Sequence, residues 1–120
     1  MAIPKFNFSV KQGNTGTVEN PAGLVMTIKD ETGTTRDLTG AEIIFFAQWD
    51  NAIQLRYSSG AGEVIVDPLE GKVTVPFAST VFRDVSSRKN VRYELELRQN
   101  GEQRTVLEGS IAVVAGFNDD

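Results

Sequence analysis

Paired carboxylates are the residues of this sequence whose spacing could support acid–base chemistry. Glu94 and Glu96 are two residues apart in a segment that alternates apolar and charged residues, so both point to one face of a strand. Glycosidases use two carboxylates as acid and base or nucleophile. Arginines neighbour both glutamates, which favours a structural role as surface charges over a catalytic one.

Oxygen-rich turns are the second candidate for chemistry. Asp30 and Glu31 lie in one predicted turn, and Asp50 and Asn51 in another. Loops of this kind can bind Ca²⁺ through carboxylate and carbonyl oxygens. Neither turn has the regular ligand spacing of an EF-hand, so ordinary turn chemistry is favoured over calcium.

The residue types that are missing exclude most catalytic mechanisms. The 120-residue chain contains no His and no Cys. A Ser-His-Asp triad, an imidazole base, a thiolate metal site and a disulfide are therefore excluded. The glycine-rich run 58–62 lacks the Lys-Ser/Thr pair and the helix of a P-loop. We therefore predict a non-enzymatic protein without cofactor or metal.

The charge pattern argues against nucleic acid partners, and the distribution of apolar residues argues against a membrane span. The net charge is −4, whereas a nucleic-acid binder needs a basic surface. One basic cluster, interleaved with glutamates, is interpreted as a mixed-charge face rather than an anion site; it comprises Arg83, Arg88, Lys89, Arg92, Arg98 and Arg104. No run approaches the roughly 20 apolar residues of a membrane-spanning helix, and the N-terminus shows no secretory signal.

Two aromatic residues form a candidate carbohydrate platform. Trp49 lies near the end of one predicted strand and Tyr57 at the end of the segment "IQLRY" that follows, and aromatic faces can stack on sugars. Trp49, however, lies on the apolar face of the segment 41–50, whose two faces are both apolar. Burial in the core is therefore the favoured interpretation, and sugar binding is the alternative.

Hairpin patterns dominate the chain. In the segment 63–77, a four-residue loop from Pro68 to Gly71 places Asp67 opposite Lys72, Val66 opposite Val73 and Val64 opposite Val75. In the segment 93–109, a two-residue Asn100-Gly101 turn places Leu97 opposite Arg104. A three-residue loop, Gln99 to Gly101, instead pairs Glu96 with Arg104, Arg98 with Glu102 and Tyr93 with Leu107. The second register matches more charges, and we predict it.

These patterns predict one domain spanning residues 1–120. Ala78, Val81, Phe82 and Val85 have helical spacing, which predicts one short helical turn. About eight strands and no βαβ pattern favour an all-β, antiparallel immunoglobulin-like sandwich, with a small closed barrel as the alternative. The predicted core includes Phe45, Trp49, Val66, Val73, Tyr93, Leu95 and Ile111.

The N-terminal strand and loop, residues 1–20, form a candidate site for subunit contacts. Phe6, Phe8 and Val10 alternate with polar residues, and a long Gly/Asn-rich loop separates them from the remaining strands. A strand tethered in this way can pair with its own sheet or with that of a neighbouring copy. Packing within its own domain is the alternative.

Three stretches resemble the small immunoglobulin-like domains of tailed-phage and prophage structural proteins, such as the N-terminal domains of baseplate upper and tail-fibre proteins. Within residues 36–115, the matching elements are "DLTG" at 37–40, Asp67 with "GKV" at 71–73, Thr80, "YEL" at 93–95 and "TVLEG" at 105–109. These are turn and core signatures rather than catalytic motifs.

The resemblance implies a virion structural protein of the tail, baseplate or neck region, synthesised in the host cytoplasm. It implies assembly through contacts with other phage structural proteins and homo-oligomer formation, with no catalytic residues to carry over. A carbohydrate- or host-surface-binding module on the same fold is the alternative function.

Overall fold

The computed structural model describes residues 3–83, 85–86 and 89–115. Within this part the chain forms eight strands and no helix: β1 (Phe8–Lys11), β2 (Leu24–Thr27), β3 (Glu42–Trp49), β4 (Ala52–Ser58), β5 (Ile65–Asp67), β6 (Lys72–Val75), β7 (Val91–Gln99) and β8 (Glu102–Val114). They form a five-stranded sheet in the order β1-β8-β7-β3-β4 and a three-stranded sheet in the order β2-β6-β5. The two sheets pack as a β-sandwich, which confirms the predicted all-β class.

The first strand departs from the predicted all-antiparallel arrangement. β1 pairs with β8 in parallel, with Phe8 opposite Ile111 and Val10 opposite Val113. Every other strand pair is antiparallel. Hairpins force antiparallel pairing between consecutive strands, but β1 and β8 are far apart in sequence and are free of that constraint.

The β5–β6 hairpin has the predicted register. Val66 is opposite Val73 and Asp67 is opposite Lys72. Val64 precedes the strand and is buried rather than paired in it. The loop closes on a Gly71 N–H to Pro68 carbonyl bond of 3.3 Å, and Gly71 has the positive φ of 61° that the turn requires.

The predicted register of the β7–β8 hairpin is wrong. Leu97 lies opposite Arg104, and Gln99 opposite Glu102, so the loop is the two-residue Asn100-Gly101 turn. Both loop residues have positive φ, at 53° and 81°, which is the type I′ geometry that strand twist favours.

A bulge explains how apolar residues of β8 remain on the buried face although the loop has only two residues. The register shifts between Leu95 and Glu96, leaving Val106 as an extra residue, and Leu95 then pairs with Leu107. Val106 and Leu107 are consecutive yet both buried. The solvent-exposed charge pairs of the predicted register contribute too little stability to override the turn preference.

The predicted helical turn is a run of tight turns instead. Val81 N–H bonds the Ala78 carbonyl, Arg83 N–H that of Thr80 and Val85 N–H that of Phe82, each three residues back. The side chain of Gln12 donates to the Val85 carbonyl at 2.6 Å and to the Arg83 carbonyl at 2.9 Å. The side-chain amide of Gln12, which is distant in sequence, thus binds carbonyl groups that would accept backbone hydrogen bonds in a helix. Asp84, Ser87 and Arg88 of this stretch lie outside the described residues.

The core lies between the two sheets and matches most of its prediction. Phe45, Val73, Tyr93, Leu95 and Ile111 are buried, whereas Trp49 and Val66 are half-buried and pack against the core. Aromatic rings fill its centre: Phe77 lies 5.3 Å from Phe45 and 5.4 Å from Phe82, centroid to centroid. Such edge-to-face contacts add about 0.5–1.5 kcal/mol each beyond the burial of area.

Candidate functional site

The proposed sugar platform is not assembled as one surface. Trp49 pairs with Ala52, while Tyr57 pairs with Phe45, which is four residues before Trp49 in β3. The Trp49 ring packs on Phe82 at 6.1 Å, and the Tyr57 ring on Phe77 at 6.4 Å. Both rings are half-buried against the core, in agreement with the structural interpretation. Burial raises the pKa of the Tyr57 hydroxyl, and the Glu63 charge raises it further.

The three residues of the candidate N-terminal interface have different environments. Phe8 and Val10 are buried between the sheets of their own domain, and Phe8 contacts Tyr93 at 5.1 Å. Phe6 is 45% exposed and stacks on Phe8 at 6.2 Å. The first strand therefore packs in its own domain, and Phe6 is the member of the trio that is left for a contact.

The N-terminal segment is held to β8 by residues of the "YEL" and "TVLEG" motifs. Phe6 N–H donates to the Glu108 carbonyl at 3.0 Å, and Glu108 N–H donates to the Pro4 carbonyl at 3.1 Å. The Tyr93 hydroxyl donates to the Phe6 carbonyl. A Cβ at Gly109 would lie 2.0 Å from that carbonyl oxygen, so only glycine admits the segment here.

A glutamate covers the free edge of β1. In a parallel pair alternate residues face the partner, and Ser9 faces away from β8. Its N–H donates to Glu19 Oε1 at 3.0 Å, and its carbonyl accepts Val18 N–H at 2.8 Å. The loop that follows β1 thus occupies the positions that a further strand would take.

A second glutamate covers one end of the opposite edge of the same sheet. Ser58, the last residue of β4, donates its N–H to Glu63 Oε1 at 3.2 Å. Its carbonyl accepts the N–H groups of Glu63 and Val64. The β3–β4 register also shifts between Ala47 and Gln48, so a bulge interrupts the rest of this edge. Bulges and charged groups on edge strands prevent unwanted strand addition.

No motif in the sequence identified these two covers. Glu19 lies ten residues after Ser9 in a loop, and Glu63 five residues after Ser58 in another. Each glutamate acts on one backbone N–H, and such contacts depend on loop conformation. The periodicity of apolar and polar residues carries no information about the conformation of these loops.

The acidic turns use their carboxylates locally. Asp37 Oδ1 accepts the N–H and hydroxyl of Thr39, and Asp30 Oδ1 accepts those of Thr32 as well as Thr34 N–H. These hydrogen bonds, the Thr39 and Thr32 hydroxyls first, lower the pKa of Asp37 and Asp30. Asp50, which lies in the β3–β4 turn, forms an ion pair with Lys89. Within the described ranges, no three acidic side chains gather as a metal site.

Buried Gln99 connects the "DLTG" turn to the β7–β8 hairpin. Its amide nitrogen donates to the carbonyls of Asp37 and Thr39, and its oxygen accepts Arg36 Nε at 2.9 Å. Arg36 also pairs with Glu102 at 2.9 Å, which lowers the pKa of that carboxyl. Leu38 is 1% exposed and fills the end of the core. The motif thus closes one end of the sandwich.

The outer face of the large sheet carries a shallow groove of about 730 Å³. Its lining includes Phe46, Gln48, Ile53, Arg92, Glu94, Glu96, Thr105 and Glu108. Glu94 lies directly opposite Glu108, and its carboxylate accepts the Thr105 hydroxyl at 3.3 Å. Glu96 instead pairs with Arg98 of its own strand at 2.7 Å. The two glutamates first considered for catalysis therefore share a mixed-charge face, and Glu96 is held in an ion pair.

Comparison with known proteins gives no assignment, since no family model and no curated protein matches the chain. Across the residues described here, no helix is long and apolar enough to cross a membrane.

Proposed function

We propose that this chain is a non-enzymatic structural protein of a tailed-phage virion, in the tail, baseplate or neck region. It acts in assembly through protein–protein contacts on an immunoglobulin-like sandwich. The strand order supports the immunoglobulin-like assignment, since a five-stranded sheet with a parallel first strand faces a three-stranded one.

The observation that carries the proposal is what the resembling motifs do in the fold. "DLTG" forms the Asp37 turn that closes the sandwich, Gly71 adopts a positive φ, and Gly109 admits the N-terminal segment. The shared residues are therefore those that specify the fold, as expected for a scaffold domain. This likeness, together with the absence of His and Cys from the sequence, supports a role in virion assembly.

Particle composition tests the proposal. In a phage or induced prophage that encodes the chain, mass spectrometry of purified particles should detect it in stoichiometric amounts. Deletion of the gene should yield particles with missing or defective tails, and supply of the intact gene in trans should restore them. Normal, infectious particles that lack the chain would overturn the proposal.

Carbohydrate binding is the second candidate function, and the outer-face groove is the observation that favours it. The groove combines an aromatic ring, Phe46, with amide and carboxylate groups, which is the chemistry that fixes a sugar. Binding on a glycan array that is lost on Phe46→Ala and retained on Trp49→Phe would support this function at the groove.

A further inference from the structure

The outer edge of β2 is open along its length. Ile28 N–H donates to the Gly71 carbonyl at 2.8 Å. Together with the β2–β6 register, this bond determines which residues of β2 have backbone groups that point toward β6. Because facing residues alternate, Leu24 and Met26 bond to β6, while the N–H and C=O groups of Val25 and Thr27 point away. Among the described residues, no hydrogen bond reaches those four outward groups.

The other three edges of the sandwich offer less. Glu19 and its loop occupy the outward groups of Ser9 in β1, whereas Glu63 occupies only those of Ser58 at the end of β4, and a bulge interrupts the rest of the β4 edge. β5 has three residues, and because Ile65 and Asp67 face β6, Val66 alone points outward. Among the described strands, β2 therefore offers an edge that has two outward residues in regular spacing and neither a bulge nor a covering side chain.

We propose that β2 pairs in antiparallel fashion with β2 of a second copy of this chain, about a twofold axis. Val25 of each copy lies opposite Thr27 of the other, and the two Met26 residues face each other. This register satisfies all four outward groups on each copy through four hydrogen bonds. It joins two three-stranded sheets into one of six strands. The inference names a partner for the assembly role proposed above.

The composition of β2 and its neighbours favours a second copy over a different protein. The strand Leu24–Thr27 carries no charge, so self-pairing brings no like charges together. Val25, Thr74 and Ile65 form an uncharged row across the outer face, in which Ile65 is 57% exposed. In the proposed register this row continues into Thr27, Lys72 and Asp67 of the second copy, and because Lys72 lies opposite Asp67, no like charges become neighbours.

Sedimentation equilibrium of the purified chain tests the inference, with Thr27→Pro as the main variant and Thr27→Ala as its control. The Thr27 N–H does not serve the β2–β6 ladder, so proline is compatible with the domain but removes the outward donor. We expect wild type and Thr27→Ala to dimerise, and Thr27→Pro to raise the dimer Kd at least about tenfold. Circular dichroism checks that each variant is folded.

A second variant keeps the test decisive if proline disturbs the strand. Val25→Lys places a charge on the pairing edge and should also raise the dimer Kd. A monomeric wild type, a wild type that pairs only with a different protein, or a dimer that survives both Thr27→Pro and Val25→Lys would each overturn the inference. Particle composition is measured separately, so a monomeric chain found in virions refutes the pairing alone. A β2-dependent dimer absent from virions refutes only the virion role.

Discussion

Tyr93 links three parts of the molecule through one side chain. Its ring packs in the core against Phe45 at 5.6 Å, its backbone lies opposite Gly109, and its hydroxyl bonds the Phe6 carbonyl. Burial raises the pKa of this hydroxyl above its usual value of 10.0, so it remains a hydrogen-bond donor into the alkaline range. The alternation of the sequence predicted the burial of Tyr93 but carried no signal for its polar contact.

Tyr93→Phe should destabilise the domain by about 1 kcal/mol, because the Phe6 carbonyl loses its donor. The loss should be accompanied by faster hydrogen exchange in residues 3–11. Tyr57→Phe is the matched control, since the Tyr57 hydroxyl forms no hydrogen bond with any of the described residues. Chemical denaturation measures both variants, and equal stability losses in the two would contradict the assigned role of the hydroxyl.

Acid should destabilise the domain partly through Asp37. Hydrogen bonds from Thr39 hold the pKa of this carboxyl below its usual 3.8 in the folded state. A depressed folded pKa contributes stability that is present above the unfolded pKa and is lost as the pH falls through the folded one. Asp37→Asn keeps an acceptor oxygen but removes the titration. Melting temperature plotted against pH should therefore fall less steeply below pH 3.8 in this variant than in wild type.

Turns, more than strands, decide register among the elements. Asp50 and Asn51 in the β3–β4 hairpin, and Asn100 and Gly101 in the β7–β8 hairpin, all have positive φ. Each two-residue turn is followed along its sheet by a register shift that restores the buried face. Each hairpin thus combines a turn that matches the twist of its strands with a bulge that returns the apolar side chains to the buried face.

Gly101→Ala should cost about 1–3 kcal/mol, because its φ of 81° lies where a side chain is strained. The expected loss of stability does not come from a steric clash, since a Cβ at Gly101 meets no atom within 4 Å. Gly60→Ala is the control: Gly60 has no positive φ, and its Cβ would make an ordinary 3.4 Å contact with Glu42. If equilibrium unfolding gave both variants the same stability, the turn would not be under this constraint.

Local pattern was sufficient for some elements and insufficient for others. The β5–β6 register followed from valine alternation and a four-residue loop, because both signals lie within a few residues. The β7–β8 register required the bulge at Val106, which pairing rules that assume regular ladders cannot produce. The partner of β1 and the glutamate covers depend on contacts between distant segments, so no local pattern could have revealed them.

At the scale of the whole molecule, one aromatic core joins both sheets. Phe45→Ala should therefore cost about 3–5 kcal/mol through the cavity it leaves, a large share of the roughly 5–15 kcal/mol of a typical domain. Phe46→Ala is a suitable comparison, because Phe46 is half-buried on the outer face under Arg56. Urea denaturation should show the larger loss for Phe45, and a loss below about 1 kcal/mol would contradict its central position.

The N-terminal strand is part of this core, so its removal should affect folding. Deletion of residues 1–11 removes buried Phe8 and Val10 and exposes the edge of β8. At about 1.5–3 kcal/mol for each buried side chain, the expected loss is about 3–6 kcal/mol. Phe6→Ser, at an exposed position, serves as the control. Thermal unfolding measures both, and a truncated chain of unchanged stability would contradict the prediction.

The parallel pairing of β1 with β8 also determines how the domain bears mechanical load. The chain enters beside Glu108 and leaves beyond Val114, next to Gln12, so its two described ends lie at opposite ends of one strand pair. Tension applied to those ends pulls β1 and β8 past each other along their length. The ladder bonds then share the force and must break together rather than one after another. A domain built in this way transmits tension through the β1–β8 pair while its core stays closed.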